Sequence, residues 1–416
     1  LRALYGMLVA SLLWYTKFKK DLEACGFKFN PYDPCVANKM VNGKQHTVRF
    51  HVDDLMCSHI DPAVNTKFLK WLNTKYGSYG EVKATRGKIH DYLGMEFDFS
   101  RPGHVIIGMT RYMKAMVDDF PMKFKPSDTA QTPAASDLFA KGDSSPLNEE
   151  QAEVYHTFVA KALFACKQAR PDIQPTVAAL CTRVKEPNQD DWNKLICLLK
   201  YINGTLKDRL FLSADDLSVI KWYVDVAFAV HPDFKSHTGG GMTYGTGMPI
   251  NASRKQKLNT RSSTESELVG ADDMAQMILW TKFFMEAQGY DVKENILYQD
   301  NKSTILLENN GKRSSGKRTR AINIRYFFLT DQVEKGNLRI EYCPTAEMNG
   351  DYMSKPLQGS LFEKFRSRIM GHEHVLPQSG GNRSVLEESE LHRASVRPAP
   401  ETRKAGTRLV VSSTTE

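Results

Sequence analysis

Four acidic residues in the second half of the chain each stand at the edge of a structured run. Asp225 lies inside LSVIKWYVDVAFAV, Glu267 in the first turn of SSTESELVGADDMAQMILW, Asp300 at the end of NILYQD, and Asp351 in MNGDYMSKP after LRIEYCP. The apolar runs are strand-like and alternate with helical stretches, which predicts a mixed sheet flanked by helices. Carboxylates carried on separate elements of such a sheet can converge on one point. That arrangement suits phosphodiester chemistry, because hard Mg²⁺ takes oxygen ligands. Two such ions about 4 Å apart clamp the attacking and the leaving oxygen. Taken singly, each acid reads more readily as a cap or turn residue than as a metal ligand.

With 416 residues, the chain has room for two or three domains. Its hydrophobic content of 41% is enough for real cores. The net charge of +8 is a mild basic bias, consistent with a polyanion partner or with a generic basic enzyme. The seven cysteines form no CxxC pair and no zinc spacing with histidine, so a reduced, intracellular and non-secreted setting is expected. No run approaches the roughly 18 apolar residues of a membrane span. The opening LRALYGMLVASLLWY runs into KFKKDLEACGF and reads as an amphipathic core helix, not a signal peptide. A start at Leu1 instead of Met suggests a fragment.

Along the chain, residues 1–24 read as a helix, and residues 35–58 alternate through CVANKMVNGKQHTVRFHVDDLMC with a hairpin signal at Asn42-Gly43. A helix is expected over about 62–76, ending near Gly77. A hairpin follows in DYLGMEFDFSRPGHVIIGM, turning at Pro102-Gly103, and then a helix over about 110–119. Residues 121–148, rich in Pro, Ser, Ala and Asp, read as a linker or long exposed loop, and 149–207 as a helical connection. From about 208 to 357 the order is strand, hairpin, helix, strand, helix, strand, helix. Gly239, Gly240, Gly241, Gly245 and Gly247 punctuate the early antiparallel part, and Trp280, Phe283 and Phe284 mark the first helix's buried face. The tail, 371–416, has no apolar period and is expected to be disordered. There are no internal repeats.

His51-Val52-Asp53-Asp54, followed by YLGMEFDF, resembles the reverse transcriptase palm of copia-type retrotransposons, in which the usual spelling is YVDD. The upstream LYGMLVASLLWYTKFKKDLEACGFKFNPYDPCV and the Tyr92-Leu93-Gly94 triplet resemble neighbouring palm segments. This resemblance implies Asp53 and Asp54 as metal ligands. The fingers and a further palm Asp would lie upstream of Leu1, and neither Asp21 nor Asp33 fits that pattern. The implied polymerase is therefore truncated and does not polymerise DNA by itself.

The second half resembles the RNase H domain of the same elements through four collinear blocks: KWYVDVAFAVHPDFKSHTGG, RKQKLNTRSSTESELVGADD, NILYQDNKSTILLE and RTRAINIRYFFLTDQVEKGNLRIEYCPTAEMNGDYMSKPL. With YHTFVAKALFACKQARPDI and WNKLICLLKYINGTL, the match covers about 1–370. The resemblance implies Asp225, Glu267, Asp300 and Asp351 as the catalytic, metal-binding carboxylates. They would hold two Mg²⁺ ions, with Mn²⁺ as a substitute, and hydrolyse the RNA strand of RNA–DNA hybrids. Glu265 reads as a capping-box partner of Ser262, with Thr264 and Glu267 as the alternative pair. Carboxylates packed this closely without metal are expected to have raised pKa values.

Two positions depart from the family pattern. Ala321 stands where a His is usual, with His231 and His237 nearby in sequence on another element, and Gly350 stands where an Ala precedes the last Asp. That glycine is expected to add backbone freedom. Lys312, Arg313, Lys317, Arg318, Arg320 and Arg325, with Lys255 and Lys257 and then Asn259, Thr260 and Arg261 at the rim, are candidate phosphate contacts or simply solvated charges. Recognition of a hybrid would read 2′-hydroxyl groups on one strand.

The expected architecture is α+β or mixed α/β. It comprises a partial palm (1–120), a linker (121–148), a helical thumb or connection (149–207), an RNase H-like domain (208–370) and a tail (371–416). Expected partners are an RNA–DNA hybrid, template RNA and the rest of a Pol polyprotein, with no membrane. The resemblance implies cytoplasmic virus-like particles and the nucleus. The alternative function is a non-catalytic remnant that folds and binds nucleic acid without turnover.

Overall fold

The computed structural model describes residues 8–311, 323–372 and 408–412. Helix α1 (Leu8–Ala24) buries Phe18 and Leu22 against a sheet built from β1 (Lys28–Asn30), β2 (Asp33–Val41), β3 (Lys44–His51) and β4 (Asp54–Ser58). The β2–β3 turn uses Asn42 and Gly43 at φ 52° and 73°, as a type I′ hairpin requires. Helix α2 (Pro62–Tyr76) starts on Asp61, whose side chain accepts from the Ala63 N–H, with Pro62 in its first turn. Strand β5 (Lys83–Thr85) follows α2.

A second sheet contains β6 (Ile89–Tyr92), β7 (Met95–Asp98) and β8 (His104–Gly108), with the expected turn at Pro102-Gly103. Helix α3 (Thr110–Asp119) falls on the expected residues. The expected linker has no regular element among its residues but is a packed strap. Ala134 and Leu138 are buried, and Phe139 lies against the rings of His231 and His237. Apolar residues spaced irregularly along a coil carry this packing without leaving a periodic signal.

Helices α4 (Glu149–Gln168), α5 (Gln174–Cys181) and α6 (Gln189–Gly204) form the connection, and α6 opens on a capping box between Asn188 and Asp191. Strand β9 (Leu210–Ala214) pairs with β8, so the second sheet runs across the expected boundary at 208.

The third sheet is mixed. Its order is β13 (Ile250–Lys255), β11 (His237–Thr243), β10 (Val219–Ala227), β14 (Glu294–Gln299), β15 (Arg339–Tyr342). The first two pairings are antiparallel, and β10–β14 and β14–β15 are parallel. The two-residue β12 (Gly245–Thr246) leaves this region to pair with β9. Helix α7 (Ser263–Ala287) covers the sheet with Leu268, Ala271, Met274, Ala275 and Ile278.

The aromatic residues expected on that buried face lie elsewhere. Trp280 is exposed, and Phe283 and Phe284 are half-buried. This last part of α7 meets the β1–β2 hairpin instead. Trp280 Nε1 donates to Tyr32 O at 2.9 Å, Phe283 stacks on Tyr32, and Asn30 Nδ2 donates to Phe284 O at 3.1 Å. Both stripes have helical spacing, so periodicity alone could not say which one meets the sheet.

Helices α8 (Lys302–Asn310), α9 (Asn323–Glu334), α10 (Gly350–Ser354) and α11 (Gly359–Met370) complete this half. Tyr352, Met353, Phe362, Phe365 and Ile369 are buried in one cluster with Tyr155, Phe158, Leu195 and Leu199 of the connection. The last part of the tail, expected to lack order, contributes strand β16 (Arg408–Ser412), which pairs in parallel with both β4 and β5.

Candidate active site

Asp225 lies near the end of β10, and Asp300 is the first residue after β14. The two strands are parallel with Tyr223 opposite Tyr298, so both carboxylates emerge two residues beyond that pair. Glu267 comes from the first turns of α7. Ser262 caps this helix by accepting from the Glu265 N–H at 3.2 Å, while Glu265 Oε2 accepts from the Arg261 N–H at 2.7 Å. Glu265 thus serves the helix end, and Glu267 is turned inward and 5% exposed.

Carboxylate oxygens of Asp225, Glu267 and Asp300 all lie within 4.8 Å of one another, the only such acidic group among the described residues. Asp351, the second residue of α10, joins through a lysine that sequence reasoning missed. Lys355 Nζ sits 2.7 Å from Asp351 Oδ1 and 3.1 Å from Asp225 Oδ2. Ser354 Oγ donates to Asp225, and Thr345 Oγ1 donates to Asp300 Oδ2 at 2.9 Å. The one available signal for Lys355 was its position one helical turn after Asp351.

Gly350 is not in the left-handed region. Its role is close approach, since an added Cβ would stand 2.9 Å from Asp225 N. The expectation of extra backbone freedom is corrected to one of space.

Burial, together with the Asp225 and Asp300 carboxylates, pushes Glu267 well above the ordinary range. Burial and Asp225 push Asp351 up to about 7. Burial alone would lower Lys355, but Asp225 and Asp351 hold it above its usual value. Buried Glu267 Oε2 has no hydrogen-bond partner. An orphaned carboxylate oxygen beside two further carboxylates is an all-oxygen donor set that fits a hard divalent cation.

The structure does not bring the remaining expected residues to this point. Asp53 lies in the β3–β4 turn and Asp54 opens β4; Val52, the other turn residue, has φ 53°, an uncommon backbone for a β-branched residue, and Trp14 Nε1 donates to Val52 O at 2.5 Å. No third carboxylate joins them among the described residues. His231 and His237 bond each other at 3.0 Å, and His237 bonds Ser253 Oγ at 2.7 Å. Burial lowers these histidines to about 4 and about 3, so they form a neutral core pair. Lys255 pairs with Asp233 at 2.8 Å, and Lys257 is exposed. Lys312, Arg313, Lys317, Arg318, Arg320 and Ala321 lie outside the described residues, and Arg325 lies on α9 with its side chain outside them.

The fold and site define a mixed α/β protein in which a five-stranded sheet and the helices packed on it gather four carboxylates and one lysine. The chain is 26% identical over 382 residues, 90% of its length, to the retrovirus-related Pol polyprotein from transposon TNT 1-94 of Nicotiana tabacum. It is likewise 26% identical to the retrovirus-related Pol polyproteins from transposons RE2 and RE1 of Arabidopsis thaliana, over 91% and 88% of its length. It spans 28%, 25% and 24% of these three relatives, about a quarter of their length. No protein-family model matches the chain. The chain is homologous to a stretch of the Pol polyproteins of plant retrotransposons, the relationship its motifs imply.

Proposed function

We propose that the chain carries a retrotransposon RNase H site that hydrolyses the RNA strand of RNA–DNA hybrids, attached to a segment that resembles a reverse transcriptase palm. The observation that carries this reading is the convergence of Asp225, Glu267 and Asp300 within 4.8 Å around an unpartnered buried oxygen of Glu267. Asp225, Glu267 and Asp300 would hold one divalent ion, and Asp225 and Asp351 would contribute to a second. Bound there, Mg²⁺ (or Mn²⁺) activates water and offsets charge on the leaving 3′ oxygen. Glu267 and Asp351, raised as acids, release protons when a cation arrives. Thr345 and Ser354 orient the carboxylates they bond, and Lys355 balances Asp225 and Asp351 when no cation is near.

The palm-like segment offers two carboxylates, Asp53 and Asp54, joined by no third among the described residues, and contributes to nucleic-acid binding. Lys255, Lys257 and the basic run from Lys312 to Arg325 would contact phosphates, with template RNA and the remaining Pol segments as partners. Such a protein works in cytoplasmic particles and the nucleus. One observation favours the second reading, a non-catalytic remnant: Lys355 already stands between two of the four carboxylates as an internal cation.

The test is cleavage of a labelled RNA–DNA hybrid by the full chain with Mg²⁺ or Mn²⁺, with Asp300→Asn as control. Metal-dependent cutting of the RNA strand alone, lost in the control, supports the nuclease. A folded, hybrid-binding chain that never cuts establishes the remnant.

A further inference from the structure

The segment Arg170-Pro171-Asp172 joins α4 to α5 and contributes nothing to the carboxylate cluster, yet it holds two of the most buried charges among the described residues. Arg170 is 1% exposed and Asp172 is fully enclosed. Arg170 Nε and Nη2 grip the two Asp172 oxygens at 2.8 Å each, Nη1 donates to Thr205 O, and Nη2 donates also to Thr205 Oγ1. Tyr201 donates its hydroxyl to Asp172 Oδ2 at 2.7 Å, and Arg366 of α11 donates to the Tyr201 hydroxyl at 2.5 Å and pairs with Asp208. Stability does not demand such a cluster, since well-packed apolar residues often replace a buried ion pair without loss.

What the cluster holds is α10. Tyr352 donates its hydroxyl to the main-chain oxygen of Asp172 at 2.8 Å, and Tyr352 directly follows Asp351. On its other side α10 lies flat on the sheet at Gly239, where an added Cβ would stand 2.2 Å from Ser354 N. A helix of five residues has too few internal bonds to fix itself. Its place is set by the sheet on one face and the connection on the other.

We propose that the Arg170–Asp172–Tyr201 cluster, acting through Tyr352, is a positioning device for the acidic site. It sets where Asp351 and Lys355 stand relative to Asp225, and so sets the affinity of the site for divalent cations. Ligand distances tolerate only about 0.2 Å, so a small shift of α10 changes binding. The inference rests on reading the cluster of acids as a metal site.

The test is Mn²⁺ uptake by the full chain without nucleic acid, read from the electron paramagnetic resonance of free Mn²⁺, alongside thermal unfolding. Tyr352→Phe removes only the hydroxyl and leaves the ring stacked on Phe362. The expected result is Mn²⁺ affinity weakened about tenfold, the scale for residues that orient metal ligands, with unfolding within a few degrees of wild type. Leu72→Ala, in the separate core under the first sheet that α10 does not join, lowers the unfolding temperature without moving the affinity. Should Tyr352→Phe not fold, Tyr201→Phe carries the same test. Wild-type affinity in a folded Tyr352→Phe protein overturns the proposal. A wild-type chain that takes up no Mn²⁺, and matches Asp300→Asn, overturns the metal reading itself and the proposal with it.

Discussion

Residues 208–372 taken alone would not form a stable domain. Met248, Tyr352, Met353, Phe362, Phe365 and Ile369 are all buried in the cluster they share with α3, α4 and α6. Fully burying one such side chain is worth about 1.5–3 kcal/mol, so six amount to on the order of 10 kcal/mol. Even if half their cover remained, the loss of roughly 5 kcal/mol would match much of the 5–15 kcal/mol typical of a domain. The cut also strips β9 of β8, its antiparallel neighbour. The assay is thermal unfolding by circular dichroism of residues 208–372 against 86–372, which keeps the second sheet and the connection. The longer piece is expected to melt cooperatively and the shorter one to show no sharp transition. A cooperative transition of 208–372 within a few degrees of the full chain would refute the reasoning.

Three further outcomes follow from buried charges. Asp351 is pushed up to about 7, so below that pH the folded apo site keeps a proton that a cation must displace. Calorimetry of Mn²⁺ binding at pH 6 in buffers of different ionisation enthalpy should show about one proton more released by wild type than by Asp351→Asn, a difference absent at pH 8.5. Asp172→Asn leaves the Arg170 charge buried without its anion and should cost about 3–5 kcal/mol in denaturant unfolding; a loss under 1 kcal/mol would mean that water reaches the cluster. Glu308, fully enclosed on α8 with neither carboxylate oxygen bonded, is held far above its ordinary pKa by burial. The folded state therefore keeps its proton where the unfolded chain loses it, and stability falls as pH rises above about 4.5 toward the folded value. Glu308→Leu should gain about 1–3 kcal/mol near neutral pH, more at pH 8 than at pH 5; a pH-independent difference would rule this out.

Features written in neighbouring residues were legible in the sequence. Asn42-Gly43, Asp61-Pro62 and Ser262 with Glu265 each satisfy a local backbone demand, so the turn and both helix starts fall where expected. The four acids were legible as a set, since their order along the chain carries the family pattern, and the structure assembles three of them directly and the fourth through Lys355. What could not be read concerns pairing across long separations. Nothing local says that Trp280 faces Tyr32 and not the sheet, or that β9 pairs with β8. Nor does it say that Arg408–Ser412 inserts between β4 and β5. Periodicity reports that a face is covered, not what covers it.

Helix α7 carries Glu267 near one end and meets the β1–β2 hairpin through Trp280 near the other. At a rise of about 1.5 Å per residue the two lie roughly 20 Å apart along a stiff rod. Tilting that rod by about 5° at the hairpin would swing its far end by nearly 2 Å, against a coordination tolerance of about 0.2 Å. Leu268, Ala271, Met274, Ala275 and Ile278 pack the stretch between them on the sheet, so a change as remote as the loop carrying Tyr32 reaches the carboxylates only where it shifts that packing.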